Sequence, residues 1–484
     1  MGTPTAISLF SGLGGIDIGL HRAGIETRVT LDADEYAAET LRANSAAYAD
    51  GIDGEEAPYE WAVIDEDIHE VEPADILDAA GTEDIDLIVG GPPCQTFSRS
   101  NEGNRDGTNT TRGMLFEEFT RLLQAIQPKA FIFENVRGLA SANDGEDFEI
   151  IKQEFADAGY TINDSILNAA DFGVPQTRQR LFIVGFRNGE VPYFPDPTHV
   201  EAKNALTGKP SWQTAAEALG DFDLDRELTA TEGYKNAVGG QYGYLLKDIP
   251  PGGNYQHFTE RKYDPERGEY VQRDEDELDK KVFDWRSRHY NYLLKQDPDR
   301  PTWTLQASPG TYVGPFHWRS RRYGFLEQMR LMDIPVDYEI CGPPREIQRQ
   351  IGNAVPPGLA EAVIRSLADQ LGLETTTEQD VDRSSAVRAD GGDATADFDG
   401  TIEVTRSQSP WTHTETVLAA IQRGERVSVR GRGKAIAQVI DTVELTRRRV
   451  ATDLNIELTE SIIEDPDGSK SESLSVLQAN VEAM

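Results

Sequence analysis

The sequence predicts a doubly wound α/β sheet interrupted by an irregular insert and followed by a small α+β domain. Short apolar runs alternate with amphipathic stretches through residues 1–190, the pattern of strands and crossover helices. Residues 191–298 lose that rhythm and are rich in Pro, Gly, Tyr and charge. Residues 373–404 carry almost no large apolar side chain, and helix and strand character returns after them. The expected organisation is a sheet domain from 1–190 and 299–372, an inserted domain at 191–298, a flexible acidic linker at 373–404 and a C-terminal domain at 405–484.

The elements follow in order. "AISLF" reads as a strand, "GGIDIGLHRAG" as a helix, "TRVTLDAD" as strand and turn, and "EYAAETLRAN" as a helix. Then come the strand "IDLIVGGPP", the helix "MLFEEFTRLLQAIQP" with its 3–4 apolar spacing, and the strand "AFIFENV". "DFEIIKQEFADAGY" is amphipathic and "RLFIVGF" is again strand-like. Past the insert, "GFLEQMRLMDIP" and "GLAEAVIRSLADQLG" are helical, and the chain is expected to return to the sheet there.

Composition narrows the class. The formal net charge is -37, with 84 acidic against 47 basic residues. Acidity spread over every segment resembles the surface of a protein from a very salty cytoplasm. At molar salt the screening length is about 3 Å, so this charge does not exclude a nucleic-acid partner; it requires recognition by short contacts. Two cysteines far apart, Cys94 and Cys341, form neither a disulfide framework nor a metal site. No secretory signal and no long apolar run are present, so a soluble cytoplasmic protein without a membrane partner is expected.

The turn "SLFSGLGG" places Gly12, Gly14 and Gly15 after the first strand, where the backbone turns sharply and approaches a ligand at the sheet edge. Asp32 ends the next strand, where an acid accepts hydrogen bonds from ribose hydroxyls, and Asp67 closes a third unit. Each taken singly is as well explained by a helix cap or simple packing. Together they suggest an adenosine-containing cofactor, and the absence of a GxGxxG turn favours one without phosphates. In "GGPPCQTFS" two prolines hold Cys94 on a rigid loop. Glu134 in "FENV" and Arg178 and Arg180 in "QTRQR" are expected at the same edge. A thiol, a carboxylate and a guanidinium there form a covalent-catalysis site; the alternatives are a buried thiol, a turn cap and surface cations.

The order "SLFSGLGG", "GGPPCQTFS", "ENVRGL", "QTRQRLFIVGF" and "RQIGNAVPP" resembles the DNA (cytosine-5)-methyltransferase family over roughly residues 5–370. The resemblance implies an S-adenosylmethionine-dependent, Rossmann-like methyltransferase sheet, with a target-recognition domain at 191–298. It implies that Cys94 attacks carbon 6 of a flipped-out cytosine in duplex DNA. Glu134 holds N3 and the exocyclic amine, Arg178 holds the O2 side, and Arg180 and Asn135 support that geometry. Phe10, Gly12, Gly14, Asp32, Asp67, Pro92 and Asn353 line the cofactor pocket, and Gln95 and Ser98 contact nucleic acid. A cognate restriction endonuclease is the candidate partner. The family's usual acid opening the first motif is Ser8 here, and its usual Phe-Pro-Cys is Pro92-Pro93-Cys94.

"SVRGRGKAIAQVIDTVELTRRRV" resembles the Alba family of nucleic-acid-binding proteins over about residues 410–465. Residues 411–450 hold eight Arg or Lys and four Asp or Glu, a balance of +4 in a strongly acidic chain. Arg430, Arg432 and Lys434 are the candidate phosphate contacts; an ordinary dimerisation module is the plainer reading. A tRNA cytosine-5 methyltransferase and a non-catalytic nucleic-acid-binding protein are the competing functions.

Overall fold

The computed structural model describes residues 3–45, 61–93, 115–201, 208–220, 238–264, 269–275, 278, 281–286 and 289–373, with four strands and two isolated helical residues beyond them. Strand β1 (Thr5–Leu9) is followed by helix α1 (Gly15–Arg22) and β2 (Glu26–Leu31). Next come α2 (Glu35–Ser45), β3 (Ala62–Ile64), α3 (Pro73–Ala80), β4 (Leu87–Gly90), α4 (Leu115–Ile126) and β5 (Ala130–Val136). After α5 (Glu146–Asp157) lie β6 (Thr161–Asn168), the short β7 (Gln176–Thr177) and β8 (Gln179–Phe186).

Seven of these strands form one sheet in the order β3-β2-β1-β4-β5-β8-β6. The first five in that order pair in parallel. Strand β8 runs antiparallel to both β5 and β6. The sheet is therefore mixed, and the reversal matters. It brings the beginning of β8 to the edge where the parallel strands end, pairing Arg180 with Val136 and Phe182 with Glu134. Strand β6 was not legible in the sequence because it is an edge strand, only half-buried along "TINDSILN", and lacks an apolar run.

Strand alternation sorts the core onto two faces. Ile7 and Leu9 pack with Phe119, Phe131, Phe133 and Phe155 beneath α3, α4 and α5. Ring centroids in that aromatic group lie 4.8 to 6.0 Å apart, mostly edge to face. Ala6, Val89, Ile132 and Val184 face the other way, against Ile16 and Leu20 of α1 and a later helix. Truncating a ring such as Phe119, which is fully buried, costs about 3–5 kcal/mol.

The insert contributes α6 (Ala215–Leu219) and a hairpin of β9 (Arg261–Asp264) and β10 (Glu269–Gln272). Its small core joins Val238, Leu245, Leu246, Tyr255 and Phe258 to Leu293 and Phe316. That core reaches past the expected limit at residue 298, because the chain folds back through 293–316 before leaving it. The chain comes back onto the main sheet through a helix, whose Leu359, Val363 and Ile364 pack with Ala6, Val89 and Ile132, and among the described residues adds no strand to it. Instead β11 (Thr302–Trp303) pairs with β7, and α7 (Phe325–Leu331), α8 (Pro344–Asn353) and α9 (Pro357–Leu371) follow. Helix α9 lies on α1, where Gly19 admits the close approach: a Cβ there would stand 2.8 Å from that of Ala360.

The C-terminal region forms a separate four-stranded sheet of β12 (Thr401–Val404), β13 (Val427–Arg432), β14 (Leu454–Ile463) and β15 (Leu474–Ala483), ordered β12-β13-β15-β14. Strand β12 pairs in parallel with β13, so this unit begins by residue 401, inside the expected linker; residues 374–400 lie outside the described set. Among the described residues, no helix is long and apolar enough to cross a membrane.

Candidate active site

Two groups of polar side chains occupy the edge where β1, β2, β4 and β5 end. The first surrounds the turn after β1. Phe10, Gly12 and Gly14 all take positive φ values, 55°, 58° and 92°. For Phe10 this is uncommon and costs backbone strain, which the surroundings hold in place. Ser11 N donates to Leu31 O, Gly12 N to Asp32 Oδ2 at 2.8 Å, and Tyr338 Oη to Leu13 O at 2.5 Å. Asp32 accepts a second bond from Asp34 N on Oδ1 at 2.9 Å, and burial raises its pKa against the pull of those two donors.

The two glycines of this turn have different surroundings. A Cβ added to Gly12 would meet nothing within 4 Å, so the backbone there faces open space beside Asp32. Gly14, grouped with the cofactor contacts on sequence grounds, is packed instead against Tyr338 and Leu41. Asp67 is exposed and bonds to His69 Nδ1 at 2.6 Å, which holds its carboxyl below the usual range. Asn353 is exposed at the end of α8. That helix is tied to the same edge by Arg349, which donates to Asp34 Oδ2 at 2.7 Å.

The second group lies over β4, β5 and β8. Glu134 is buried, and its Oε1 accepts from Arg180 Nε at 2.9 Å. Its Oε2 faces the loop after β4: a Cβ on Gly91 would stand 2.6 Å from it, so a side chain there would push the carboxyl from its place. Burial raises the Glu134 pKa, opposed by the charges of Arg180 and then Arg178. Asn135 Nδ2 donates to Pro92 O at 3.0 Å and anchors that loop two residues ahead of Cys94. Cys94, Gln95 and Ser98 lie outside the described residues.

The two arginines have different partners. Arg178 is fully buried and donates to Leu305 O at 3.1 Å and Gly352 O at 2.6 Å. Its guanidinium thus fastens the start of β8 to the segment after β11 and to the end of α8. Arg180, one strand residue pair further on, is the one against the carboxylate. The spacing Arg-x-Arg puts both on one side of the strand; which of them reaches Glu134 depends on packing with residues more than 120 positions away.

Other polar partners were missed in the sequence. Asp17 of α1 is fully buried and accepts from Ser8 Oγ at 3.0 Å. Its signal was a carboxylate three residues before Leu20 and four after Leu13, both core positions. Arg349 was overlooked although it lies within "RQIGNAVPP", quoted for its resemblance. The carbonyls of Leu305 and Gly352 carry no sequence signal at all.

A glycine turn open beside a buried acid, set next to a separate buried Glu–Arg pair, marks a doubly wound α/β protein with two polar clusters at one sheet edge. Comparison with known proteins makes the assignment specific. Residues 5–369 match the C-5 cytosine-specific DNA methylase family, and the chain belongs to that family as a DNA (cytosine-5-)-methyltransferase. It is 34% identical over 410 residues to Type II methyltransferase M.SacI of Streptomyces achromogenes, spanning 76% of this chain and 93% of that one. Type II methyltransferase M.NgoFVII of Neisseria gonorrhoeae is 32% identical, with 76% and 88% covered. A solved Escherichia coli prophage-encoded structure, described as a DNA modification methyltransferase, matches with a TM-score of 0.51 at 19% identity, covering 76% of this chain and all of that one. Family membership implies S-adenosylmethionine as the methyl donor.

Proposed function

We propose that this chain methylates carbon 5 of a cytosine rotated out of duplex DNA, with Cys94 as nucleophile, as the modification enzyme of a restriction-modification system or as an orphan methylase. The observation that carries the reading is the buried Glu134–Arg180 pair beside Gly91 and Pro92, at the root of the loop that leads to Cys94. A base inside a duplex cannot reach such a site, so the target must leave the stack.

Carbon 5 of cytosine is a weak nucleophile. Addition of the Cys94 thiolate to carbon 6 breaks the 5,6 double bond and makes carbon 5 electron-rich. Negative charge then builds on N3. Glu134, whose carboxyl holds a proton more readily than an exposed one, donates to N3 and accepts from the exocyclic amine. Arg180, bound to the same carboxylate, is placed for the O2 side; Arg178 keeps the wall behind it rigid. Gly12 and Asp32 would hold S-adenosylmethionine, whose sulfonium would give up the methyl group to carbon 5 and leave as the neutral thioether S-adenosylhomocysteine. Loss of the carbon 5 proton to a base restores the ring and expels the Cys94 thiolate.

The C-terminal sheet supports a second, subordinate reading as a nucleic-acid-binding or dimerising module of Alba type. Two β-strands in parallel, each followed by a helical residue (Val417, Val439), precede an antiparallel hairpin. Of the candidate contacts, Arg430 and Arg432 lie on β13, and Lys434 lies outside the described residues.

Labelled S-adenosylmethionine offered separately with duplex DNA and with tRNA, at molar salt, tests the assignment. Label on DNA cytosines is expected. Label on tRNA alone rejects the DNA substrate, and label on neither supports a binding protein. Deleting residues 401–484 is expected to weaken DNA binding while methylation persists.

A further inference from the structure

The first strand carries Ser8 where the related methyltransferases usually carry an acid, yet the structure puts a carboxyl at that place. Ser8 lies on the face of β1 that α1 covers, among Ala6, Ile16 and Leu20. Asp17, in the first turn of α1, brings its Oδ2 to 3.0 Å from Ser8 Oγ. Ser8 Oγ in turn accepts from Ser11 Oγ at 2.9 Å. Ser11 is half-buried in the positive-φ turn, between Phe10 and the open side of Gly12. A three-member chain thus runs from a fully buried carboxyl to the ligand edge.

Its partners are few. Ser8 of β1 and Thr27 of β2 face the carboxyl, and no charged side chain contributes to its titration. Asp17 Oδ1 has no hydrogen-bond partner among the described residues. An ion in such surroundings is expensive to keep. If its purpose were packing, an apolar residue would stabilise α1 better. The cost has a use if the charge acts beyond its own position.

We propose that Asp17 is a positioning residue that supplies, from α1, the acid missing on β1 and transmits its charge through Ser8 and Ser11 to the cationic methionyl end of the bound cofactor. The direction of the chain carries the effect. An ionised Asp17 only accepts, so the Ser8 proton points inward and the Ser11 proton is taken up by Ser8, on Oγ at 2.9 Å or on its carbonyl oxygen at 3.0 Å. The lone pairs of Ser11 are then left for a cation at the turn. A protonated Asp17 can donate to Ser8 and reverse the chain; Ser8 Oγ then donates to Ser11, occupies one of its lone pairs and leaves the Ser11 proton to turn to the Ser8 carbonyl oxygen or toward the ligand. Burial lifts the Asp17 pKa to about 7, so the reversal falls in the working range: the acceptor arrangement holds above that pH and is lost as pH falls through it.

This inference rests on the S-adenosylmethionine reading and is tested without DNA, so that catalysis does not enter. Calorimetric binding of S-adenosylmethionine is measured from pH 5.5 to 8.5 in molar KCl, with thermal melting of every variant alongside. The unsubstituted protein is expected to bind more tightly as pH rises through 7. Asp17→Asn should bind about tenfold more weakly at pH 8, the scale of one charge-assisted hydrogen bond, with the pH slope gone. Ser11→Ala, at a half-buried turn position, should show the same two changes in a protein that melts normally. The exchange variant Ser8→Asp/Asp17→Ser should recover most of the affinity that Asp17→Ser loses. Unchanged affinity and slope in either Asp17→Asn or Ser11→Ala overturns the proposal, as does an exchange variant no better than Asp17→Ser. An unsubstituted protein that binds no S-adenosylmethionine at any pH removes the cofactor reading, and this inference with it.

Discussion

Asp17 and Glu134 are both buried carboxyls near the same sheet edge, and both have pKa values raised by burial, but their neighbours differ. Asp17 meets only neutral donors, the hydroxyls of Ser8 and Thr27 and its own backbone N–H, on the side where β1 turns around an open glycine. Glu134 meets Arg180 directly and Arg178 behind it, on the side where the Cys94 loop begins. A carboxyl among neutral donors titrates and can orient a hydrogen-bond chain. A carboxyl gripped by guanidinium is held in place and balanced in charge, ready to meet a ring whose own charge changes during reaction. One sheet edge therefore runs two kinds of acid, and the difference comes from partners rather than from burial.

The comparison can be broken at its reactive end first. Cys94→Ser should lower methylation by at least about 10⁴-fold, on the scale seen when a catalytic nucleophile is lost, with cofactor affinity nearly unchanged. A serine variant that turns over normally, measured by radiolabel transfer to DNA, rejects the covalent route. Glu134→Gln should cost about 10²–10³-fold in kcat while S-adenosylmethionine still binds normally; an equal loss in cofactor affinity would merge the two halves of the edge into one. Arg178→Met removes a clamp and leaves two buried carbonyls unpaired, so about 2–4 kcal/mol of stability should go, read in urea titration. Arg180→Met, by contrast, should lower turnover more than stability, and the reverse ranking would reject the proposed division of labour between the two arginines.

The smallest effect sharpens the Asp17 side. Its folded-state pKa is raised, so folding favours the protonated acid and that advantage disappears as pH rises from the ordinary carboxylate range through about 7. Between pH 5 and 8 the unsubstituted protein should lose at most about 3 kcal/mol relative to Asp17→Asn. Melting curves of the two proteins that stay parallel across that range would show that Asp17 does not titrate as its surroundings require.

Much of this was readable from residue order. The alternation of Ala6, Ile7 and Leu9, the glycine turn and the "FENV" acid each depend on neighbours a few positions away, and local periodicity records them. The carboxylate at 134, the turn at 10–14 and the acid at 32 all fall at the expected edge. Strand β6 was not readable, because a half-exposed edge strand has no apolar signature. Asp17 was passed over because a charged residue in a helix ordinarily faces water.

By its own order of residues, the chain determined which chemical groups exist and which strand or turn carries each, since side-chain type and period are local properties. Tertiary structure alone decided the direction of β8, and with it which arginine meets Glu134. It also decided that the acid beside β1 comes from a helix. Strand direction and cross-element contacts are settled by hydrogen bonds and packing between segments far apart in the chain, and no short window of sequence contains both partners.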